Sequence, residues 1–236
     1  MKSHDPRLRQ GILKLLVLCV SSLCVLCVSV VRSSSAAEIT VDKEKKAIII
    51  DAKIAPRKLP NLDQIYPFEV VACWPAPRGE KAHETLVTIE AMPSEVHKAL
   101  ESLGLKAGKV AEPQLQKPAE GPELLVSLEI PRDDGTMKKY PVGQLMLDIK
   151  TGKPLGKSVK FRFTGSTLLK PDPNKPETKY AADTSGTLIA IFPVTDKTMM
   201  QSTLRLEDEK FVKLEADKKL VPKEGTPVKL ILEVVK

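Results

Sequence analysis

The feature that most limits what this chain can fold into is the brevity of its apolar runs. Beyond residue 37 they are short, and Pro, Gly or Lys ends nearly all of them. A helical bundle needs long stretches with helical periodicity, whereas a strand needs only about four to eight residues. Strands are expected at Ile39–Val41, Ala47–Ile54, Pro67–Cys73, Glu84–Ala91, Glu123–Ile130, Gln144–Ile149, Ser158–Thr164, Thr187–Pro193 and Val228–Val235. The polar stretch DKEKK separates the first two as a hairpin turn would. Residues 106–122 and 170–179 are polar, Pro-containing connectors.

One helix stands out, at about 94–104. Pro93 precedes it, Ser94 can cap it and Gly104 follows it. Val96, Ala99, Leu100 and Leu103 fall on one face at helical spacing. A helix of about ten residues does not hold alone in water, so it must dock on the sheet. The expected class is α+β or mainly β: a single antiparallel-rich sheet domain with one clear short helix. Helices between the strands, which a parallel sheet would need, are missing.

The chain opens differently. Lys2, Arg7, Arg9 and Lys14 precede an apolar run, Leu15–Val31, and Ser35, Ala36 and Ala37 close the segment. This is the pattern of a secretory signal peptide, with cleavage expected after Ala37. The domain organisation is then 1–37 signal peptide and 38–236 one globular domain, exported to the periplasm, the cell surface or the medium. The alternative is an uncleaved membrane anchor, since the run's 17 residues approach the roughly 17–25 that span a bilayer. The membrane is met only through the leader, if that is not cleaved. A lipid-anchored form is disfavoured, because Cys19, Cys24 and Cys27 each follow a bulky Leu.

The leader also carries most of the net charge. It holds five of the 37 Lys and Arg and one of the 30 Asp and Glu, which leaves +3 on the remainder. No basic run with interleaved aromatics is present, so nucleic acid is not an expected partner. Three of the four cysteines lie in the leader, so Cys73 has no partner for an intramolecular disulfide.

Familiar catalytic patterns fail on inspection. Gly165-Ser166 lacks the rest of a nucleophile elbow. Gly104 and Gly108 are one residue too close for a phosphate loop. His83-Glu84 begins like a zinc protease helix, but Val87 stands where the second His belongs. One constellation remains: Cys73, His83 and His97, with Glu84 beside them. If Pro67–Cys73 and the strand after His83 form a hairpin, Cys73 lies opposite His83, with Cβ atoms ~5 Å apart. Thiolate and imidazole suit zinc, copper or iron. The plainer alternative is structural: Cys73 as a small apolar residue, His83 and Glu84 bonded to the loop, and His97 covering the helix start. Trp74 opens the loop WPAPRGEK. It would either anchor a contact surface or cap the edge of the core.

These segments carry a resemblance. FEVVAC at 68–73, HETLVT at 83–88 and HKALESLG at 97–104 look like the YdjY-domain family, as do FTGS at 163–166, YAADTSGTLIAIF at 180–192 and VPKEGTPVKLIL at 221–232. The resemblance implies an exported bacterial protein of the cell envelope. It also associates His83-Glu84 and His97 with the family motif. Some relatives are ferredoxin-like and carry cysteine-rich segments. That does not transfer here, because an iron–sulfur cluster needs about four thiolates.

The functional expectation is an exported, non-enzymatic binding or interaction module of the cell envelope, its partner an envelope protein or ligand. Alternatives are a metal-binding or redox accessory protein using Cys73, His83 and His97, and a hydrolase with an unrecognised site.

Overall fold

A computed structural model describes residues 39–59, 64–156 and 159–235. The leader and its cleavage point at Ala37 lie outside the described residues. Fourteen strands are numbered here in chain order. The first seven are β1 (Ile39–Asp42), β2 (Ala47–Ile54), β3 (Val70–Cys73), β4 (Thr85–Ile89), β5 (Glu123–Pro131), β6 (Met137–Pro141) and β7 (Met146–Asp148). The others are β8 (Phe161–Phe163), β9 (Leu168–Leu169), β10 (Lys179–Tyr180), β11 (Thr187–Ala190), β12 (Thr198–Ser202), β13 (Leu214–Ala216) and β14 (Pro227–Val234). Among the described residues the one helix of ten residues is α1 (Pro93–Ser102).

The sheet is built outward from three long strands. β14 lies between β2 and β5 and pairs antiparallel with both. Ile50, Leu230 and Leu128 stand side by side in one layer, and Ile48, Leu232 and Val126 in the next. All six are at most 2% exposed. Each is worth roughly 1.5–3 kcal/mol of burial. The intervening residues point to the other face, as the two-residue period requires: Asp51, Lys229 and Glu129 are part-exposed there, whereas Ile231 and Ser127 are covered. Asp51 and Lys229, register partners on that outer face, form an ion pair. The β1–β2 hairpin forms as expected, with Asp42 opposite Ala47 across the lysine-rich turn.

The protein is mostly β, but the sheet is not a layer with two ends. Its order runs β2-β14-β5-β8-β12-β11-β3-β4, and β4 pairs back onto β2. Ile54 sits opposite Val87 and Ala52 opposite Ile89 at this seam. Eight strands therefore close into a barrel. An eight-stranded barrel is just wide enough for side chains to fill, and here Ile, Leu, Val, Phe and Met side chains fill it. Two pairs in the ring, β3–β4 and β11–β12, are parallel; the other six are antiparallel. β1 and β6 extend the wall outside the ring. β6 carries Lys138 and Lys139, both exposed, as edge strands that resist further pairing do.

The expected helix is present and starts one residue early, with Pro93 in its first turn. Ser94 is thus inside the helix rather than its cap. The cap comes from far along the chain: the Asp183 carboxylate accepts the Ser94 backbone N–H at 2.9 Å. The C-terminus closes as the glycine promised. Gly104 has φ +87°, its N–H bonds the Glu101 carbonyl, and the Leu105 N–H reaches the Leu100 carbonyl, a Schellman arrangement. Val96 and Leu100 are fully buried. α1 touches both β2 and β12, which lie four strands apart in a ring of eight, so it crosses the barrel's mouth. Among the described residues no helix is long and apolar enough to cross a membrane.

Two buried polar side chains on the wall behave oppositely. Gln201 of β12 is 1% exposed and uses both ends of its amide. Its oxygen accepts the Ala111 N–H at 2.7 Å, and its nitrogen donates to the Thr195 carbonyl at 3.0 Å. Ser127 of β5 is fully buried, and its hydroxyl has no partner among the described residues. Removing one member of a satisfied buried pair costs about 1–3 kcal/mol, whereas removing an unsatisfied group costs little. Thermal or denaturant unfolding will therefore show Gln201→Leu destabilised by about 2 kcal/mol. Ser127→Ala will be as stable as the parent or more so. A loss above about 1 kcal/mol in Ser127→Ala would contradict this description of the β5 wall.

Candidate functional site

The residues singled out from sequence do not converge. β3 and β4 are not a hairpin. They run parallel, with Val70 opposite Thr85 and Cys73 opposite Thr88. The loop after Cys73 carries the chain back to the start of β3 before β4 begins. It does so because β4 must run antiparallel to β2 to close the barrel. His83 consequently lies in a short 3-10 turn, Ala82–Glu84, beside residue 69, where the Glu69 N–H bonds the Glu84 carbonyl. Cys73 is four residues further along the strand, roughly 13 Å at ~3.3 Å per residue.

Each group has found local partners. The Cys73 thiol is buried, 3.8 Å from the Thr187 hydroxyl and 3.9 Å from the Ser185 carbonyl. Burial pushes its pKa up, so it stays a neutral thiol. Glu84 and Glu69 both grip Lys81, whose Nζ lies 2.7 and 2.6 Å from their oxygens. Burial alone would lower the Lys81 pKa; the hydrogen bonds to the two carboxylates outweigh it and hold the ammonium above its ordinary range. The chain's own cation thus sits between the two acids. His83 packs edge-on against Tyr66, at 5.1 Å between ring centroids.

His97 is at the barrel's mouth, packed between Phe163 and Tyr180 at 4.8 and 5.4 Å. Its Nδ1 is 2.8 Å from the Tyr180 hydroxyl. Burial, with the charges of Asp183 and Glu101, holds that hydroxyl's pKa above its usual range. Tyr180 therefore keeps its proton, and on the other side of the ring Nε2 lies 3.4 Å from a Glu101 carboxylate oxygen. Gly165 (φ +67°) lies under the ring, and a Cβ there would stand 3.4 Å from His Cε1. Cys73, His83 with Glu84, and His97 thus occupy three separate places. Among the described residues, no group of three or more His, Cys, Asp or Glu side chains could hold a metal ion.

Trp74 does not present a contact surface. It is 7% exposed, and its Nε1–H donates to the Ala91 carbonyl at 2.8 Å. Arg78 covers its ring, and Gly186 presses on it so closely that a Cβ would come within 2.8 Å.

The open chemistry lies elsewhere. β5 shares one edge with β8 at Glu123–Leu124 and with β6 from Ser127 to Pro131. At Leu125 and Val126 the two partner strands have parted, and a cleft of about 820 Å³ opens between them. Leu124, Leu125 and Val126 line it on one side, with Val142, Leu155, Phe161, Leu220 and Val235 around it. Leu125 and Val235 are 43% and 47% exposed, so apolar surface remains open there. Glu123, Lys153, Lys160 and Asp217 supply charge. A second cleft, of about 800 Å³, lies between residues 108–114, 164–167 and 193–196. Of its hydroxyls, Thr164 donates to the Gly165 and Met199 carbonyls and Ser166 accepts the Ala182 N–H, while that of Thr167 is buried with no partner among the described residues. No sequence motif marked the apolar cleft, because its walls come from segments up to 112 residues apart, from Glu123 to Val235. The exposed Leu125 in an otherwise alternating strand was the one local sign.

A protein-family model described as the YdjY domain matches residues 39–233. No curated protein and no solved structure matches the chain.

The geometry makes Cys73 inert and sets a pH dependence. A thiol whose pKa is raised by folding adds stability below its unfolded value of about 9, and this is lost as pH rises toward the folded value. Unfolding free energies of the parent and Cys73→Ala, measured from pH 7 to 10.5, should converge above pH 9. Native Cys73 should also resist a thiol reagent at pH 8 and react once unfolded. A parallel offset at every pH, or rapid native labelling, would contradict the buried neutral thiol.

Proposed function

The chain belongs to the YdjY-domain family, and from that premise we propose that it is an exported, non-catalytic binding module of the cell envelope. The apolar cleft beside β5 is its binding surface. The observation that carries this reading is the cleft itself. Its volume is in the range of small-molecule sites, about 300–1,000 Å³, and its lining is mainly apolar with a few charged groups. The filled lumen supports the same choice. Side chains fill the interior that a ligand-carrying barrel would leave open and α1 crosses its mouth, so binding capacity falls to the outer wall. Export rests on the basic start, apolar middle and small-residue end of the first 37 residues. The side chains that would serve metal or redox chemistry are spent on their neighbours, which favours binding over either alternative.

The test has two parts. Protein made with its leader in a bacterial host should be recovered outside the cytoplasm with Glu38 as its first residue. An apolar fluorescent probe should bind the protein saturably. Leu125→Asp should weaken that binding at least tenfold. Leu115→Asp, at a more exposed site outside the cleft, should leave it unchanged. Equal probe binding by all three proteins would sink the cleft as the binding surface, and retention of residues 1–37 in the cytoplasm would sink export.

A further inference from the structure

We propose that the cleft's ligand is a single-chain amphiphile with an anionic head: a long-chain carboxylate whose tail lies on Leu125, Val142 and Leu155 and whose head meets Lys153. This rests on the cleft being the binding surface. The tail follows from the lining. The head follows from the charges, taken one at a time. Lys160 lies 2.9 Å from Glu123, and Arg162 approaches the same carboxylate oxygen at 3.7 Å, so two cations face one acid. Asp217 turns back on its own loop, where its carboxylate accepts the Lys219 N–H at 2.9 Å. Lys153 is exposed and has no ion-pair partner among the described residues. Of the two cations that line the cleft among the described residues, Lys160 is thus taken by Glu123, and Lys153 is the one left without an acid. A neutral apolar ligand would leave that charge unused, and a cationic one would be repelled by it.

The experiment is displacement of the apolar probe by alkyl carboxylates, alkanols and alkyltrimethylammonium ions of 8 to 16 carbons, at low salt. Within each series, every added methylene should tighten displacement about fourfold until the cleft is full. The carboxylate should exceed the alkanol of equal length by about three- to fivefold, the size of an exposed charge pair, and the cation should be weakest. Lys153→Ala should erase the preference and leave alkanol displacement unchanged. Carboxylate and alkanol displacing equally in the parent would overturn the anionic head while leaving the cleft intact. Displacement by anionic phospholipid vesicles but not by the monomeric carboxylate would overturn it in favour of a membrane surface. Failure of the probe to bind the parent would remove the cleft reading and this one with it.

Discussion

Everything in this fold depends on the short seam where β4 hydrogen-bonds to β2. Only three register pairs make it, Ala52–Ile89, Lys53–Thr88 and Ile54–Val87. They convert a sheet with two raw edges into a ring, and a ring of eight strands has a lumen the width of its own side chains. Closure explains the parallel β3–β4 pair, because β4 can meet β2 antiparallel only after the chain has doubled back. It also explains why α1 crosses the mouth: Val96 and Leu100 cover the layer that closure leaves open at one end.

A filled lumen leaves open surface only on the wall. The wall is continuous except where one strand must serve two neighbours in turn. β5 does this, giving its edge first to β8 and then to β6, and the cleft is the gap between them. Elsewhere, buried polar groups hold loops in place. Gln201 ties two of them, the Tyr180–His97 pair fixes α1 to the hairpin of β9 and β10, and Lys81 joins the start of β3 to the turn before β4. Such groups cost little while every partner is satisfied, and much when one is removed.

How much of this was legible in the sequence follows from how local each signal is. The β1–β2 hairpin, β5, β14 and α1 were legible because alternation, a polar turn, and a Pro and Gly at the two ends are written in neighbouring residues. The ends of α1 divide the lesson: Gly104 marked one, but the cap at the other is Asp183, 89 residues away. β12 escaped notice because all five of its residues are buried and three of them, Thr198, Gln201 and Ser202, are polar. Burial on both faces erases the two-residue period. β6 escaped because an edge strand rich in Lys reads as a loop. The Cys73–His83 pairing was misjudged because a loop of that length serves a hairpin or a short crossover equally well, and the choice is made by β2, on the far side of β4.

The central claim is that the barrel's interior is closed to ligand and the wall cleft is open. Methyl NMR of the protein titrated with an apolar probe tests it most directly. The account predicts shifts at Leu125, Val142, Leu155 and Val235, with Ile48, Ile50, Leu230 and Leu232 unmoved. Shifts at the four interior residues, with the cleft silent, would contradict it.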